Sequence, residues 1–241
     1  MWLLILGVIA TVGFAAIVLV GIPHALFLNV AVPEQLEPYT ESQLRGREVY
    51  IANGCVYCHS QQIRDAAFTT DVLRGWGDRP TVPSDYVYDR PHLLGTMRTG
   101  PDLINVGARL PDPNWHLIHL YDPRAVVEWS IMPAFPFLFE LKDPGEVTPD
   151  DRLVPIRGDR APEGKVVVAT PDALALVDYL LSLRRNYPIR PPQGGRGDGT
   201  ADAAVEGGRG RGAVGSDPGG RSAGADTPAG DADAAASGAA P

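Results

Sequence analysis

The N-terminal segment is apolar and carries no charged side chain from Met1 to Pro33. Its most apolar part, residues 2–28, is longer than the roughly 20 residues that a helix needs to cross the hydrocarbon core of a bilayer. A secretory signal peptide would show a positive n-region, a shorter apolar core and a small-residue cleavage site, and none of these is evident. The pattern therefore predicts an uncleaved transmembrane anchor over residues 1–30.

A second apolar pattern has helical spacing and runs from Ser42 to Asn53. Its apolar positions are Leu44, Val49 and Tyr50, which recur at the spacing of one helix face. Serine favours the start of a helix and glycine its end, so Ser42 and the following Gly54 predict the two boundaries.

A third pattern begins at Thr170, which precedes a proline and an acid, a composition typical of the first turn of a helix. The apolar face of this predicted helix consists of Leu174, Val177, Leu180 and Leu181. Basic residues 184–185 lie in its predicted last turn, and Pro188 ends it. In the helix predicted over residues 42–53, Gly46 lacks a side chain, so another helix can approach closely there.

Between these two helices, residues 65–91 and 142–165 are rich in Pro, Asp and Gly and predict long loop insertions. The first insertion contains one Trp and two Tyr, which predicts an ordered loop held by aromatic side chains. Three valines at 166–168 predict a short strand. Residues 42–190 then make one domain of about 150 residues, an ordinary size, joined to the anchor by a linker over 31–41.

The C-terminal residues 191–241 are mostly Gly, Ala, Asp, Pro and Ser and contain no aromatic residue. Such a composition cannot bury enough apolar surface to offset the entropy of ordering, so it predicts a disordered tail. Its four Arg and seven acids carry −3 of the formal net charge of −8. Net acidity and scattered basic residues argue against a nucleic-acid partner.

Both cysteines of the chain lie in one motif, Cys55 to His59 (CVYCH). Cys-x-x-Cys-His is typical of a c-type haem attachment site, because two thiols one turn apart can add to the vinyl groups on one porphyrin edge. A dithiol redox motif would need no histidine, and structural zinc would need four ligands, usually with a second cysteine pair. The motif therefore predicts one covalent haem c on Cys55 and Cys58, with His59 as an axial iron ligand.

A methionine as the second axial ligand would raise the reduction potential of the haem. Met132 lies among prolines (SIMPAFP), which predict a stiff, non-helical loop able to hold a thioether against an iron. Met97 is the alternative, and either residue could instead fill a gap in the core. A six-coordinate iron leaves no open position, so the chain would carry electrons and would not itself be catalytic.

These elements together resemble a class I-type cytochrome c, in which an N-terminal helix leads into the attachment motif and a C-terminal helix crosses it. In that family a Gly-Pro-x-Leu segment precedes the axial methionine, as residues 100–103 (GPDL) do here. The resemblance implies that the Pro101 carbonyl accepts a hydrogen bond from His59, which would fix the ring tautomer. It also implies that Arg109 lies near a haem propionate, since a guanidinium suits a carboxylate; a solvated surface charge is the alternative.

Four segments narrow the resemblance and occur in family order, namely residues 55–64, 98–103, 115–124 and 132–138. They are similar to the mono-haem subunit II of cbb-type cytochrome c oxidases, the C-family of haem–copper oxidases. The resemblance supports Met132 as the axial methionine. It implies an electron-relay subunit whose partners are a haem–copper catalytic subunit, other respiratory subunits, a donor cytochrome c and membrane lipid. It also implies a bacterial inner membrane location with the haem domain on the periplasmic side.

His116 and His119 are three residues apart on a predicted helix, so they could bind a metal or replace Met132. Histidines in such a place more often form local hydrogen bonds. Two other functions fit the sequence: a stand-alone, membrane-tethered cytochrome c shuttle between respiratory complexes, and a haem-based ligand sensor. The fold expected is mainly α, with one N-terminal transmembrane helix, a class I-type cytochrome c domain with long loop insertions, and a disordered tail.

Overall fold

The chain begins with a long apolar helix. The structure is a computed structural model that describes residues 1–156, 158–160 and 162–189. Helix α1 covers Trp2–Phe27 with a π-helical stretch at Ile17–Gly21, and its 26 residues have the composition of a candidate membrane span. At 1.5 Å per residue this helix is about 39 Å long, which exceeds the ~30 Å hydrocarbon core. The predicted tail, residues 191–241, lies outside the described residues.

After the linker, the domain is mainly helical, as predicted. In chain order its helices in the described part are α2 (Glu41–Ala52), α3 (Val106–Arg109), α4 (Pro113–Tyr121) and α5 (Pro171–Ser182). Short 3₁₀ turns connect them, including one at Cys55–Tyr57. Helices α2 and α5 contact each other more than any other pair of elements does, so they form the centre of the domain.

The start of α2 differs from the prediction. Its N-cap is Thr40, not Ser42, because Thr40 Oγ1 accepts a hydrogen bond from Gln43 N (3.2 Å) and Gln43 Oε1 accepts one from Thr40 N (3.1 Å). This capping box satisfies two backbone donors that a helix beginning later would leave unpaired. Leu44 is exposed, so the buried face of α2 is made by Val49 and Tyr50 without it.

The boundaries of α5 agree with the prediction at its start and differ at its end. Thr170 is the N-cap, as predicted, but α5 ends at Ser182, so the arginine pair 184–185 lies beyond the helix. Leu174 is exposed, and the face turned to α2 also includes Ala175 and Tyr179, which the apolar pattern did not single out.

Gly46 lies where α2 and α5 cross, as the sequence predicted. A Cβ atom at this position would overlap the carbonyl group of Ala175 and lie 2.8 Å from the Cβ atom of Tyr179. The close approach lets the buried residues of both helices pack into one core, and Val49, Tyr50, Leu176, Tyr179 and Leu180 all belong to it. No residue larger than glycine leaves room for this crossing.

A small antiparallel sheet covers one side of the core. Its strands are β1 (Phe139–Lys142), β2 (Arg152–Leu153) and β3 (Val166–Ala169), in the order β1-β3-β2. Phe139 pairs with Ala169, which fixes the register of β1. The valine run predicted β3 correctly, but it did not predict β1 and β2, because these short strands are stabilised by pairing with β3 and carry little pattern of their own.

The insertion over residues 65–91 is ordered, as predicted, around a second apolar cluster of Ile63, Trp76, Tyr86 and Ile104. Phe27, the last residue of α1, packs against the same cluster and meets the ring of His92 at 4.9 Å. The end of the apolar helix is therefore fastened to the domain through this insertion.

Candidate functional site

The cysteine motif lies in a tight turn directly after α2. Gly54 has a left-handed backbone (φ +69°), which ends the helix, as predicted, and starts the 3₁₀ turn Cys55–Tyr57. The amide of His59 donates to the carbonyl of Cys55 over 2.9 Å, so the histidine follows both cysteines within one turn. Cys55 packs against the main core and Cys58 is exposed. Burial raises the pKa of the Cys55 thiol to about 11.

His59 is held by the segment that the resemblance singled out. Its Nδ1 atom lies 2.8 Å from the carbonyl oxygen of Pro101, so Nδ1–H donates and Nε2 is left to bind a ligand. Gly100 lies against the ring, because a Cβ atom there would be 2.7 Å from Nδ1 and 2.9 Å from Nε2. Burial lowers the pKa of His59, against smaller opposing effects of the Pro101 carbonyl and the Asp102 charge, so the ring is neutral at pH 7.

The two candidate methionines have different surroundings. Met132 lies in a non-helical segment, as predicted, and is half-buried against the main core, the same core on which Cys55 packs. The loop is tied to α4 by the bond from Phe135 N to Leu120 O (2.9 Å). Met97 is 58% exposed, so it does not fill a gap in the core. The structure therefore favours Met132 over Met97 as a residue presented to the interior.

Arg109, at the end of α3, is directed back toward the histidine segment. Its Nη2 atom donates to the carbonyl oxygen of Asp102 over 2.6 Å, and its charge acts on His59. It is half-buried and is therefore not the fully solvated charge that was the alternative interpretation. Its role toward a propionate stays a prediction.

The histidines of α4 have distinct surroundings. His116 is buried, and its Nε2 lies 2.8 Å from the carbonyl oxygen of Leu110, which is the local hydrogen bond expected of such a residue. The ring of His119 stacks on Trp115 at 4.6 Å. Burial, with smaller effects of His59 and His116, lowers the pKa of His119 to about 4. Within the described ranges, no three His, Cys, Asp or Glu side chains come together as a metal site.

A buried charged network behind His59 was missed by the sequence analysis. Asp102 and Asp71 are buried carboxylates, and Arg98 forms an ion pair with Asp71 and lies 3.8 Å from Asp102. The only signal of this network in the sequence was Asp102, the charged residue inside the Gly-Pro-x-Leu segment. Nothing in the sequence indicates that these three residues, up to 31 positions apart, share one site.

The surroundings of His59 fit a haem. The iron requires a neutral, oriented imidazole, which burial and the Pro101 carbonyl provide. The porphyrin requires apolar walls, and Cys55 packs on the same main core as the partly buried apolar side chains of Val56, Leu103, Met132 and Phe135. A helix before Cys-x-x-Cys-His, a crossing C-terminal helix and a proline-backed histidine define a class I-type mono-haem cytochrome c.

The comparison with known families agrees with this class. The family model described as cytochrome c oxidase, mono-haem subunit (FixO), matches residues 1–152. The chain belongs to this family, and it is an electron-transfer subunit of a cytochrome c oxidase that uses haem and associates with other oxidase subunits. None of the curated proteins compared with the chain matches it.

Proposed function

We propose that this subunit relays single electrons through one covalently bound haem c to the haem–copper catalytic subunit of a cbb-type oxidase. The observation that carries the proposal is the pairing of the Cys55–His59 motif with the 2.8 Å contact between His59 Nδ1 and the Pro101 carbonyl. That contact leaves Nε2 of a neutral imidazole as the free coordinating atom, which a c-type haem requires and a dithiol redox motif does not.

Four residues would hold the haem. Cys55 and Cys58 would form the thioether bonds, and His59 and Met132 would be the axial ligands. Arg109, already placed beside this segment, would face a propionate. The haem would supply one-electron chemistry, while the chain would orient the imidazole through Pro101 and line the porphyrin with apolar side chains.

Helix α1 would attach the domain to a membrane. We place the domain on the periplasmic side of the bacterial inner membrane, where a donor cytochrome c can reach it. The apolar 26-residue helix, whose last residue Phe27 packs onto the domain, supports the attachment to a membrane. The side rests on the proposed covalent haem, because cytochromes of this type receive their haem on the periplasmic side. Protease added to spheroplasts should degrade the domain, whereas protection until the membrane is opened would contradict this side.

The central experiment is a mild-detergent purification of the full chain, with identification of every co-migrating protein. We expect a c-type haem spectrum, haem that resists acid–acetone extraction, and a haem–copper subunit in the same particle. The variants Cys55→Ser and Cys58→Ser should make the haem extractable or absent. Purification without any haem would refute the proposal.

The same preparation separates the alternatives. A haem-containing chain that migrates alone at every detergent concentration would indicate a tethered shuttle. Carbon monoxide bound to the c-type haem of the reduced wild-type protein would indicate an open iron position and hence a ligand sensor. Reduction of the haem by a donor cytochrome c, followed by oxygen consumption of the intact particle, is the result that the relay predicts.

A further inference from the structure

Asp102 is a fully buried carboxylate that joins two segments of the site. Its Oδ2 atom accepts from Ser60 Oγ (2.6 Å) and from Gln62 N (2.7 Å), and its Oδ1 atom accepts from Ile104 N (2.9 Å). Ser60 directly follows His59, and Asp102 directly follows Pro101. The side chain therefore bridges the backbone beside the histidine and the backbone beside its hydrogen-bond acceptor.

Burial raises the pKa of Asp102, whereas the hydrogen-bond donors around it favour the ionised carboxylate. The two backbone amides can only donate, and Ser60 Oγ accepts from Arg98 Nε (2.8 Å), so its own hydrogen is directed to Asp102. Arg98 supplies the compensating charge at 3.8 Å. A buried carboxylate with three donors is a rigid clamp, since each charge-assisted bond is stronger than a neutral one.

Backbone bonds run beside the same clamp. Gly100 N donates to Cys58 O (3.0 Å), and Leu103 N donates to Ser60 O (2.9 Å). The contact between His59 Nδ1 and Pro101 O lies between these bonds, so the separation of the two segments determines its length. Asp102 adds two charge-assisted links across this gap, from Ser60 Oγ and Gln62 N.

We propose that Asp102 is a positioning residue that keeps the Pro101 carbonyl on His59 Nδ1 and thereby keeps the reduction potential of the haem low. This inference rests on the proposed ligation of haem iron by His59. A hydrogen bond from Nδ1–H makes the imidazole a stronger donor to iron, which favours the ferric state. The negative charge of Asp102 acts in the same direction.

The variant Asp102→Asn tests this in the full chain in detergent. Asparagine replaces one acceptor oxygen with an amide NH₂, which confronts the hydrogen-bond donors of Ser60 or Gln62. We expect the ferric–ferrous equilibrium to shift about tenfold toward the ferrous state, a rise of about 59 mV for one electron. The exchangeable Nδ1 proton of His59, observed by NMR, should also exchange with solvent about tenfold faster, because one charge-assisted bond is worth that factor.

Two variants control for loss of stability and loss of charge. Asp85 is equally buried but bonds to Arg79 (2.8 Å) and not to the His59 segment, so Asp85→Asn should destabilise the domain and leave the potential unchanged. Asp71 belongs to the same charged network but does not bridge the His59 and Pro101 segments. Asp71→Asn therefore removes a charge without removing a bridge, and the His59 Nδ1 proton should exchange at the wild-type rate.

Ser60→Ala removes one of the three hydrogen-bond donors to Asp102. This variant tests the positioning role of Asp102 if Asp102→Asn does not fold. It should raise the potential and speed the proton exchange, both by less than Asp102→Asn. Unchanged exchange in Asp102→Asn, or in Ser60→Ala when only that variant folds, would overturn the positioning role. This failure differs from failure of the proposed function, in which the wild-type protein would carry no haem at all.

Discussion

Replacing Gly100 with alanine is the most direct test of how the site holds His59. The new Cβ atom would lie 2.7 Å from Nδ1 and 2.9 Å from Nε2 of the imidazole, whereas ordinary contacts begin at 3.4 Å. The conflict cannot be avoided by a change of rotamer at position 100, because alanine has none. The histidine ring must therefore withdraw by roughly 1 Å to restore normal packing.

The displacement has a calculable cost. The 2.8 Å bond between His59 Nδ1 and Pro101 O would stretch to the limit of hydrogen bonding. Loss of that bond costs about 0.5–1.5 kcal/mol, and overpacking of a filled site costs about 1–3 kcal/mol. The variant should lose about 1.5–4.5 kcal/mol of stability, which lowers the melting temperature of a domain of this size by roughly 3–18 °C.

The assay combines thermal unfolding with haem absorption spectra at each temperature. Gly145→Ala is the matched control, because its Cβ atom would meet nothing within 4 Å and should change stability by less than about 0.5 kcal/mol. Gly100→Ala should also alter the absorption and the potential of the haem before unfolding. A Gly100→Ala protein with the wild-type melting temperature and spectrum would refute the argument that the glycine makes room for the ring.

Three further outcomes are expected. Met132→Leu should keep covalent haem but let carbon monoxide bind and lower the potential, while Met97→Leu, at an exposed position, should do neither; the reverse result would reassign the axial ligand. Gly46→Ala should cost at least about 1–3 kcal/mol in thermal unfolding, because its Cβ atom would overlap the carbonyl group of Ala175. His119 has a pKa of about 4 when folded and ~6.5 when unfolded, so the unfolded chain binds the extra proton and stability should fall by up to ~1.4 kcal/mol per pH unit below pH 6.5. Denaturant titrations at pH 7 and pH 5 check this, and His119→Gln should flatten the dependence.

The sequence by itself determined the features that depend on short-range chemistry. The spacing of Cys55, Cys58 and His59 predicts a haem attachment motif without reference to the fold, because the two thiols and the imidazole lie within one turn. The apolar run of α1 is long enough to span a bilayer regardless of the rest of the chain. The close helix approach at Gly46 was also predicted, because close packing against another helix is the main structural reason for a glycine inside an amphipathic helix.

Tertiary structure decided the features that depend on distant residues meeting. Only the fold shows that Arg98, Asp71 and Asp102 share one buried network, because a charged residue carries no sequence signal of burial. The start of α2 at Thr40 was decided by the reciprocal bonds with Gln43. Capping propensity alone ranks threonine no higher than serine, so it did not select Thr40 over Ser42. The position of the Pro101 carbonyl on His59 was suggested by family resemblance, and the folded chain brings residues 42 positions apart to 2.8 Å. A hydrogen bond of this kind depends on packing that brings two distant segments together, and no local pattern along the chain encodes that packing.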